Sequence, residues 1–145
     1  MFAHNDCQEN NLLQTQYGIR LIDFEYSGFN YAAFDIANFF CEYMMDYCHT
    51  RYPFYTVCWR DFPDENVQRM FVAVYLSEYL ETPIFPTDAH IIDPMLESIK
   101  IMCQASHILW GLWSVTRAPQ GATYDEYVSN FCFFLFCFDL SGLEI

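Results

Sequence analysis

The stretch His4-Asn5-Asp6-Cys7-Gln8-Glu9-Asn10-Asn11 decides the fold of this 145-residue chain, together with Ile22-Asp23-Phe24-Glu25-Tyr26, which follows it. The first segment has the pattern H-x-D-x-x-x-x-N, and the second has a hydrophobic residue followed by Asp-Phe. Residues 11–15 and 18–25 predict the two strands of a short β-hairpin between these patterns. Such a hairpin brings the last Asn of the first segment and the Asp of the second side by side.

An acid, an amide and a second acid in this order and spacing are typical of kinase-like enzymes that transfer a phosphoryl group to an alcohol. In that chemistry Asp6 accepts the hydroxyl proton, and Asn11 and Asp23 supply the hard oxygen ligands that magnesium prefers. Glu25 lies two positions further along the predicted strand, on the same face as Asp23, and would support the metal. The alternative is that His4 and Asp6 cap a turn and that the others are loop and surface residues. The two patterns together favour phosphoryl transfer, with His4 fixing the loop rather than moving protons.

The charge of the chain limits its partners. It has 19 acidic and 6 basic residues, a formal net charge of -13. An acidic surface repels nucleic-acid phosphates and anionic membranes, so we expect no nucleic-acid partner and favour a cationic substrate. A merely solvated acidic surface is the alternative. The composition, 54% hydrophobic and 20% aromatic, predicts a packed domain rather than a disordered chain.

The compartment is predicted from the cysteines and the apolar segments. Seven cysteines are dispersed without a C-x-x-C pair, which predicts reduced, buried thiols rather than disulfides or a zinc site. The longest apolar run, residues 131–138, is shorter than the about 20 residues of a membrane-spanning helix. We find no basic-then-apolar leader at the start. These features predict a cytoplasmic protein without a transmembrane segment.

Beyond residue 30 the apolar pattern becomes helical. The spacing predicts helices over residues 35–47, 64–80 and 94–116, and a last helix from Thr123, where Glu126 completes a capping box. Residues 49–63 and 83–86 are predicted to connect them. One apolar face is expected on each of the first two helices: Ile36, Phe39, Phe40, Tyr43, Met44 and Tyr47 on the first, and Val67, Met70, Phe71, Val74 and Tyr75 on the second.

These segments resemble the choline/ethanolamine kinase family, nearer its choline kinase branch. The blocks that carry the resemblance are His4 to Glu9, Leu21 to Ser27, Asn30-Tyr31, Phe34-Asp35-Ile36, Phe40-Cys41-Glu42 and Ala105-Ser106-His107-Ile108-Leu109-Trp110-Gly111-Leu112-Trp113-Ser114. The resemblance implies an α+β, mostly α-helical, eukaryotic protein kinase-like fold that aminoglycoside phosphotransferases share. It also implies phosphorylation of choline or ethanolamine by ATP with Mg²⁺, in phosphatidylcholine or phosphatidylethanolamine biosynthesis.

The resemblance also implies roles for individual residues. Asp6 corresponds to the catalytic base, Asn11 and Asp23 to the metal ligands, and Gln8 and Glu25 to groups that support the phosphates and the metal. The residues implied to bind the substrate are Tyr26, Glu42, Tyr47, Trp110, Trp113 and Tyr127. Ring faces hold a quaternary ammonium through cation–π contacts, each worth about 0.5 to 2 kcal/mol. Ordinary core packing is the alternative for each of these rings.

Helical spacing adds detail to this predicted pocket. Trp110 and Trp113, three residues apart, are expected to form one wall. Glu42 and Asp46, on one face of the first helix with Tyr47 at its end, would add negative charge. His107 is expected to be a hydrogen-bonded structural histidine.

The chain departs from the family pattern in a few places. Asn10 and Ala37 stand where the family usually has glycine, and both fit their expected backbone. There is no G-x-G-x-x-G loop, and Lys100 is the only lysine. We therefore expect the C-terminal lobe of the kinase-like fold over residues 1–145, without the N-terminal nucleotide lobe. Residues 1–30 would form the catalytic loop and metal-binding hairpin, and residues 31–145 the helical choline-binding part.

Two functions remain open for such a chain. It is either the catalytic half of a choline/ethanolamine kinase, with weak or no activity by itself, or a non-catalytic module that binds choline or dimerises with a family member. The apolar segment 131–138, exposed without its neighbour, would favour an interaction surface. A cage rich in aromatic residues favours choline, whereas Glu42 and Asp46 could also hold ethanolamine through N–H bonds.

Overall fold

The computed structural model describes residues 1–51 and 55–117. Three expectations lie outside the described residues: the helix from Thr123, the apolar segment 131–138 and the substrate-binding role of Tyr127. The strands are β1 (Phe2–Ala3), β2 (Leu12–Thr15), β3 (Gly18–Leu21), β4 (Gly28–Phe29), β5 (Met45–Asp46) and β6 (Thr56–Val57). The α-helices are α1 (Ala32–Glu42), α2 (Glu65–Leu80) and α3 (Ala89–Arg117), and short 3-10 turns cover Glu9–Asn11 and Trp59–Asp61.

The strands form three two-stranded antiparallel pairs, β1 with β4, β2 with β3 and β5 with β6. The predicted hairpin is β2–β3, in which Leu12 pairs with Leu21 and Thr15 with Gly18. Its second strand is shorter than predicted, because it ends at Leu21 rather than continuing to residue 25. Asp23 has a φ of 62°, and this left-handed backbone cannot continue a strand. The predicted strand face shared by Asp23 and Glu25 is therefore wrong.

The first helix begins and ends earlier than predicted. α1 covers Ala32–Glu42, whereas the apolar spacing predicted residues 35–47. After the helix, β5 pairs with β6, and the Cys58 N–H donates to the Met44 carbonyl at 2.8 Å. These pairings satisfy the backbone outside a helix, while Met44 still buries its side chain. Asp46 and Tyr47 therefore lie beyond α1, and the predicted helical face shared by Glu42 and Asp46 is wrong.

The second helix has the predicted bounds but buries another face. The Asp64 side chain accepts the Val67 N–H at 2.9 Å as the N-cap of α2. The buried residues of α2 are Gln68, Val72, Ala73 and Leu76, whereas Val67, Met70 and Val74 of the predicted face are exposed. Small residues on the buried face allow close approach to the core. Gln68 is accommodated there because its amide donates to the Pro63 carbonyl at 2.7 Å.

One core joins the three helices. α3 starts at Ala89, five residues before the predicted start, and contains Pro94 in its second turn, where the proline nitrogen cannot donate to the carbonyl of residue 90. The buried core consists of Ala33, Ile36, Ala37 and Phe40 from α1, Val72, Ala73 and Leu76 from α2, and Ile92, Leu96 and Ile99 from α3. These core residues of α3 all lie in its first half, whereas its second half contacts α1 through Asn38 and Cys41 and the segment before α1 through Tyr26.

The described part of the chain tests two further expectations. It contains no disulfide, as expected, but Cys48 and Cys58 are exposed rather than buried. None of the described helices is long and apolar enough to cross a membrane.

Candidate active site

The loop that follows β1 is held by His4, which is buried. Its Nε2 lies 2.8 Å from the Ile22 carbonyl oxygen, and its Nδ1 accepts the Asp6 N–H at 3.3 Å. These partners assign the proton to Nε2. The His4 ring also contacts Phe24, with ring centroids 4.9 Å apart. His4 thus connects the segment around Asp6 to the segment around Asp23, in the position expected for a residue that fixes the loop.

Asp35, in the first turns of α1, holds the same loop from the other side. Its two carboxylate oxygens accept the backbone N–H groups of His4 and Asn5, each at 2.7 Å. Asn5 has a φ of 66°, a backbone conformation that needs such support. The Asn5 amide also donates to the Tyr26 carbonyl at 2.9 Å. Asp35 was not among the predicted site residues, although it starts a predicted helix and lies in the block Phe34-Asp35-Ile36, which carries part of the family resemblance.

The Asp6 carboxylate receives hydrogen bonds from the two predicted amide neighbours. Asn11 Nδ2 donates to Asp6 Oδ2 and to the Asp6 carbonyl oxygen, both at 2.9 Å, and Gln8 Nε2 lies 3.4 Å from Asp6 Oδ2. Asn11 is buried, and its amide nitrogen is occupied by Asp6. The Asn11 side-chain oxygen is therefore the atom that a metal would use.

The second acidic segment lies beside this loop. The Ile22 N–H donates to the Asn11 carbonyl at 3.0 Å, which anchors the residue before Asp23 to the end of the loop. Asp23 and Glu25 are exposed, and both line the same cleft as Asp6. Asp23 adopts its left-handed backbone here, a strain that is often found at functional sites.

The oxygen ligands suit magnesium, which binds through one or two carboxylates and keeps other positions for water and phosphate. The described residues contain no group of three His, Cys, Asp or Glu side chains that could hold a metal. Asp23 and the oxygen of Asn11 are the residues that would hold the ion.

Three aromatic residues form one wall of the cleft, as the spacing of the tryptophans predicted. The ring centroids of Trp110 and Trp113 are 5.9 Å apart, and those of Tyr26 and Trp110 are 5.4 Å apart. Both pairs are edge-to-face. The Trp113 indole N–H donates to the Tyr26 hydroxyl at 2.9 Å, so the end of α3 is joined to the turn that follows Asp23.

A carboxylate and a phenol, Glu42 and Tyr47, lie in the same cleft. The Tyr47 hydroxyl donates to Glu42 Oε2 at 2.9 Å, although the two residues lie on different elements. Burial raises the pKa of Glu42 to about 7, and the charges of Asp6 and Glu9 act in the same direction, while the Tyr47 hydrogen bond opposes them. Burial, followed by the charge of Glu42, raises the pKa of Tyr47. At neutral pH Glu42 is therefore poised between its protonated and its ionised form.

The cleft that these groups surround has a volume of about 460 Å³. Its lining residues are Asp6, Gln8, Asn10, Asp23, Glu25, Tyr26, Glu42, Met45, Tyr47, Tyr55, Trp110, Trp113 and Ser114. Four of them are carboxylates and none is Lys, Arg or His, so the described lining attracts cations. The predicted site residues in the described part of the chain line this cleft, with two exceptions. Asn11 is hydrogen-bonded to Asp6 but does not line the cleft, and Asp46, which was expected to add charge to the pocket, does not line it either.

Some of the residues that line the cleft were not predicted from the sequence to do so. Tyr55 and Met45 line it without having been predicted, because no periodicity distinguishes either residue in the segment after α1. His107 is close to its expected role: its Nε2 lies 3.6 Å from Cys41 Sγ, and burial lowers its pKa to about 4, so it is neutral.

Comparison with known proteins agrees with this geometry. The family described as choline/ethanolamine kinase matches residues 1–137. The chain belongs to the choline/ethanolamine kinase family. Among its relatives, choline kinase alpha of Mus musculus is 38% identical over 128 residues, which cover 81% of this chain and 28% of that protein. A choline/ethanolamine kinase of Homo sapiens is 38% identical over 135 residues, 88% of this chain and 34% of that protein.

Solved structures of the family share the fold. The crystal structure of choline kinase from Cryptosporidium parvum Iowa II matches with a TM-score of 0.80 at 43% identity, covering 92% of this chain and 37% of that chain. An ethanolamine kinase of Plasmodium vivax matches with a TM-score of 0.70 at 27% identity, covering 94% of this chain and 33% of that chain. The fold is thus protein kinase-like, rich in helix with small sheets. The chain spans about a third of the length of the family members it matches.

Proposed function

We propose that this chain supplies the catalytic base, the metal ligands and the acceptor site of a choline/ethanolamine kinase, which transfers the γ-phosphoryl group of ATP to the hydroxyl of choline or ethanolamine. One observation carries the proposal. One cleft of about 460 Å³ is lined both by the carboxylates Asp6 and Asp23 and by the aromatic residues Tyr26, Trp110 and Trp113. An amino alcohol needs both, because its cation and its reacting hydroxyl are only two carbons apart.

The acceptor's cation is assigned to the aromatic wall and Glu42. A quaternary ammonium has no N–H to donate, so ring faces and a nearby carboxylate are the groups that attract it. Trp110 and Trp113 offer ring surface from one helix, while Glu42 adds charge and is held by Tyr47. The aromatic wall contributes most to the binding of the methylated cation of choline. Glu42 contributes more to the binding of ethanolamine, because ethanolamine can donate N–H bonds to it.

The acceptor's hydroxyl is assigned to Asp6. The hydroxyl proton moves to the Asp6 carboxylate as the alcohol oxygen forms its bond to the γ-phosphorus, and the bond from that phosphorus to the bridging oxygen breaks to release ADP. Asn11 and Gln8 orient the carboxylate through their hydrogen bonds. Asp23 and the Asn11 oxygen would hold Mg²⁺, which neutralises the phosphate charge. Glu25 supports that ion from the same cleft.

In this assignment the chain corresponds to the C-terminal lobe of the kinase-like fold. Residues 1–30 would form the catalytic loop and the metal-binding hairpin, and residues 31–145 the helical choline-binding part. The absence of disulfides among the described residues supports a cytoplasmic location. In phospholipid synthesis such a reaction provides the phosphorylated headgroup.

A second candidate is a choline-binding module that does not turn over and that dimerises with a longer family member. It is favoured by the cation site, because Tyr26, Glu42, Tyr47, Trp110 and Trp113 all line one cleft within the described residues. The two candidates share the cation site and differ only in whether Asp6 is used.

Two measurements on the 145-residue chain test both candidates. Calorimetry measures choline binding, and a coupled assay measures ADP release with choline, ATP and Mg²⁺. Turnover that is lost in Asp6→Asn and kept in Glu9→Gln, a matched change at an exposed acid of the same loop, supports the kinase and excludes the module. Choline binding without turnover excludes a chain that is catalytic by itself, and it is expected both of the module and of a catalytic half that needs the rest of the kinase. A chain that neither binds choline nor turns over contradicts both.

A further inference from the structure

Asn38 is a polar side chain at the centre of the molecule, only 1% exposed. It lies on the inner face of α1, between Ala37 of the core and the catalytic loop. Its amide nitrogen donates to the Cys7 carbonyl oxygen at 3.0 Å. Its amide oxygen accepts the Ser106 hydroxyl at 2.7 Å and the Trp110 indole N–H at 2.6 Å. Through one carboxamide, Asn38 therefore contacts three residues in two separate parts of the chain, the catalytic loop and α3.

We propose that Asn38 is a positioning residue that couples the aromatic wall to the catalytic loop; this inference rests on the proposed function. Cys7 directly follows Asp6, so the bond to its carbonyl fixes the peptide next to the base. Trp110 is the ring in contact with both Tyr26 and Trp113. Movement of this ring in response to the acceptor's cation therefore alters the hydrogen bonding of the loop that holds the base.

The chemistry of the carboxamide explains why asparagine suits this position. It presents a donor and an acceptor on one rigid planar group, so the loop and the wall cannot shift independently without breaking a bond. The site is buried, and water cannot replace a lost partner easily. A purely structural role is the alternative, in which Asn38 only satisfies polar groups of the core.

Hydrogen exchange distinguishes coupling from a structural role without any ligand. Trp110→Phe keeps an aromatic ring but removes the N–H that reaches Asn38, together with part of the ring surface of the indole. Trp113→Phe is the matched control, because it removes an indole N–H from the same wall that donates to Tyr26 instead. Backbone amide exchange is followed in residues 5–11 for the loop and in residues 65–76 for α2, which reports on the core.

Coupling predicts that Trp110→Phe speeds exchange in residues 5–11 by about three- to tenfold, the range expected for one net hydrogen bond. Exchange in α2 is expected to stay within about twofold, as is exchange of the loop in Trp113→Phe. Equal acceleration of the loop and α2, or no acceleration of the loop, overturns the inference. If Trp110→Phe does not fold, Ser106→Ala takes its place: it removes the other donor to the Asn38 oxygen, so coupling predicts faster exchange in residues 5–11 than in α2, and equal exchange in both overturns the inference.

A choline titration separates this inference from the proposed function. Choline is added to the wild-type chain and to Trp110→Phe, with exchange of residues 5–11 as the readout. Slower loop exchange in the wild type, weakened in the variant, supports both the function and the coupling. If choline has no effect on the wild type, the proposed function is contradicted at its cation site, while the ligand-free comparison still decides the role of Asn38.

Discussion

Replacing Glu42 by glutamine removes a charge from the cation site with little change in shape. The Gln oxygen can still accept the Tyr47 hydroxyl, which now donates to Glu42 Oε2 at 2.9 Å. The electrostatic attraction between a carboxylate and a cation about 5 Å away is about 3 kcal/mol at an effective dielectric constant near 20. Because Glu42 is half-buried in an open cleft, screening reduces this gain to about 1.4 kcal/mol, or about tenfold in Kd.

The pKa of Glu42 makes the loss of choline affinity in Glu42→Gln depend on pH. With a pKa of about 7, Glu42 is mostly protonated one unit below that pH and mostly ionised one unit above it. A cation binds the ionised form better, so wild-type affinity for choline rises with pH through this range and proton release accompanies binding at lower pH. Glu42→Gln is therefore expected to weaken binding by about twofold near pH 6 and by about ninefold near pH 8.

Calorimetry of choline binding at several pH values measures the ratio of the Kd of Glu42→Gln to that of the wild type. Glu9→Gln is the matched control: Glu9 is exposed and does not line the cleft, although its charge helps to raise the pKa of Glu42. We expect it to change the affinity by less than about twofold and to move the titration slightly to lower pH. A Glu42→Gln penalty that is the same near pH 6 and pH 8 would refute the reasoning.

Three further predictions concern stability, each read from urea unfolding. Asp35→Asn removes one of the two acceptors that hold the His4 and Asn5 N–H groups, and should lower the free energy of unfolding by about 1.5 to 3 kcal/mol; an unchanged midpoint would contradict this. Ile99→Ala, at a core position 1% exposed, should cost about 2 to 5 kcal/mol, against a negligible effect of Ile101→Ala on the exposed face of the same helix. Asp64→Ala should cost about 1 kcal/mol through loss of the α2 N-cap, and Asp64→Ser should recover most of it.

The positions of several residues around the cleft could be predicted from the sequence, because these residues belong to short local patterns. The two motifs flank a hairpin, and a hairpin by itself brings its ends together, so Asp6, Asn11 and Asp23 could be placed without knowledge of the tertiary structure. Trp110 and Trp113 are three residues apart on a helix and must lie on neighbouring positions of its surface. The positions of these residues could be predicted from backbone geometry alone.

The errors arose where contacts distant in sequence decide the structure. Tyr47 reaches Glu42 because a strand pairing ends α1 early, and that pairing joins residues ten or more positions apart. The buried face of α2 contains Gln68, whose burial depends on the Pro63 carbonyl and cannot be read from hydrophobicity. Asp35 and Asn38 were overlooked for the same reason, since their partners lie about 30 residues or more away.

The division of α3 has a consequence for how the acceptor site can diversify. Ile92, Leu96 and Ile99 anchor one half of this helix in the core, and Trp110 lies eleven residues beyond the last of them, about 16 Å further along the helix. Substitutions at that distance usually add independently. If the proposed function holds, we therefore expect that selection can reshape the wall for amines of different size while the anchoring half preserves the fold, so that substrate choice and folding evolve as separate traits of one helix.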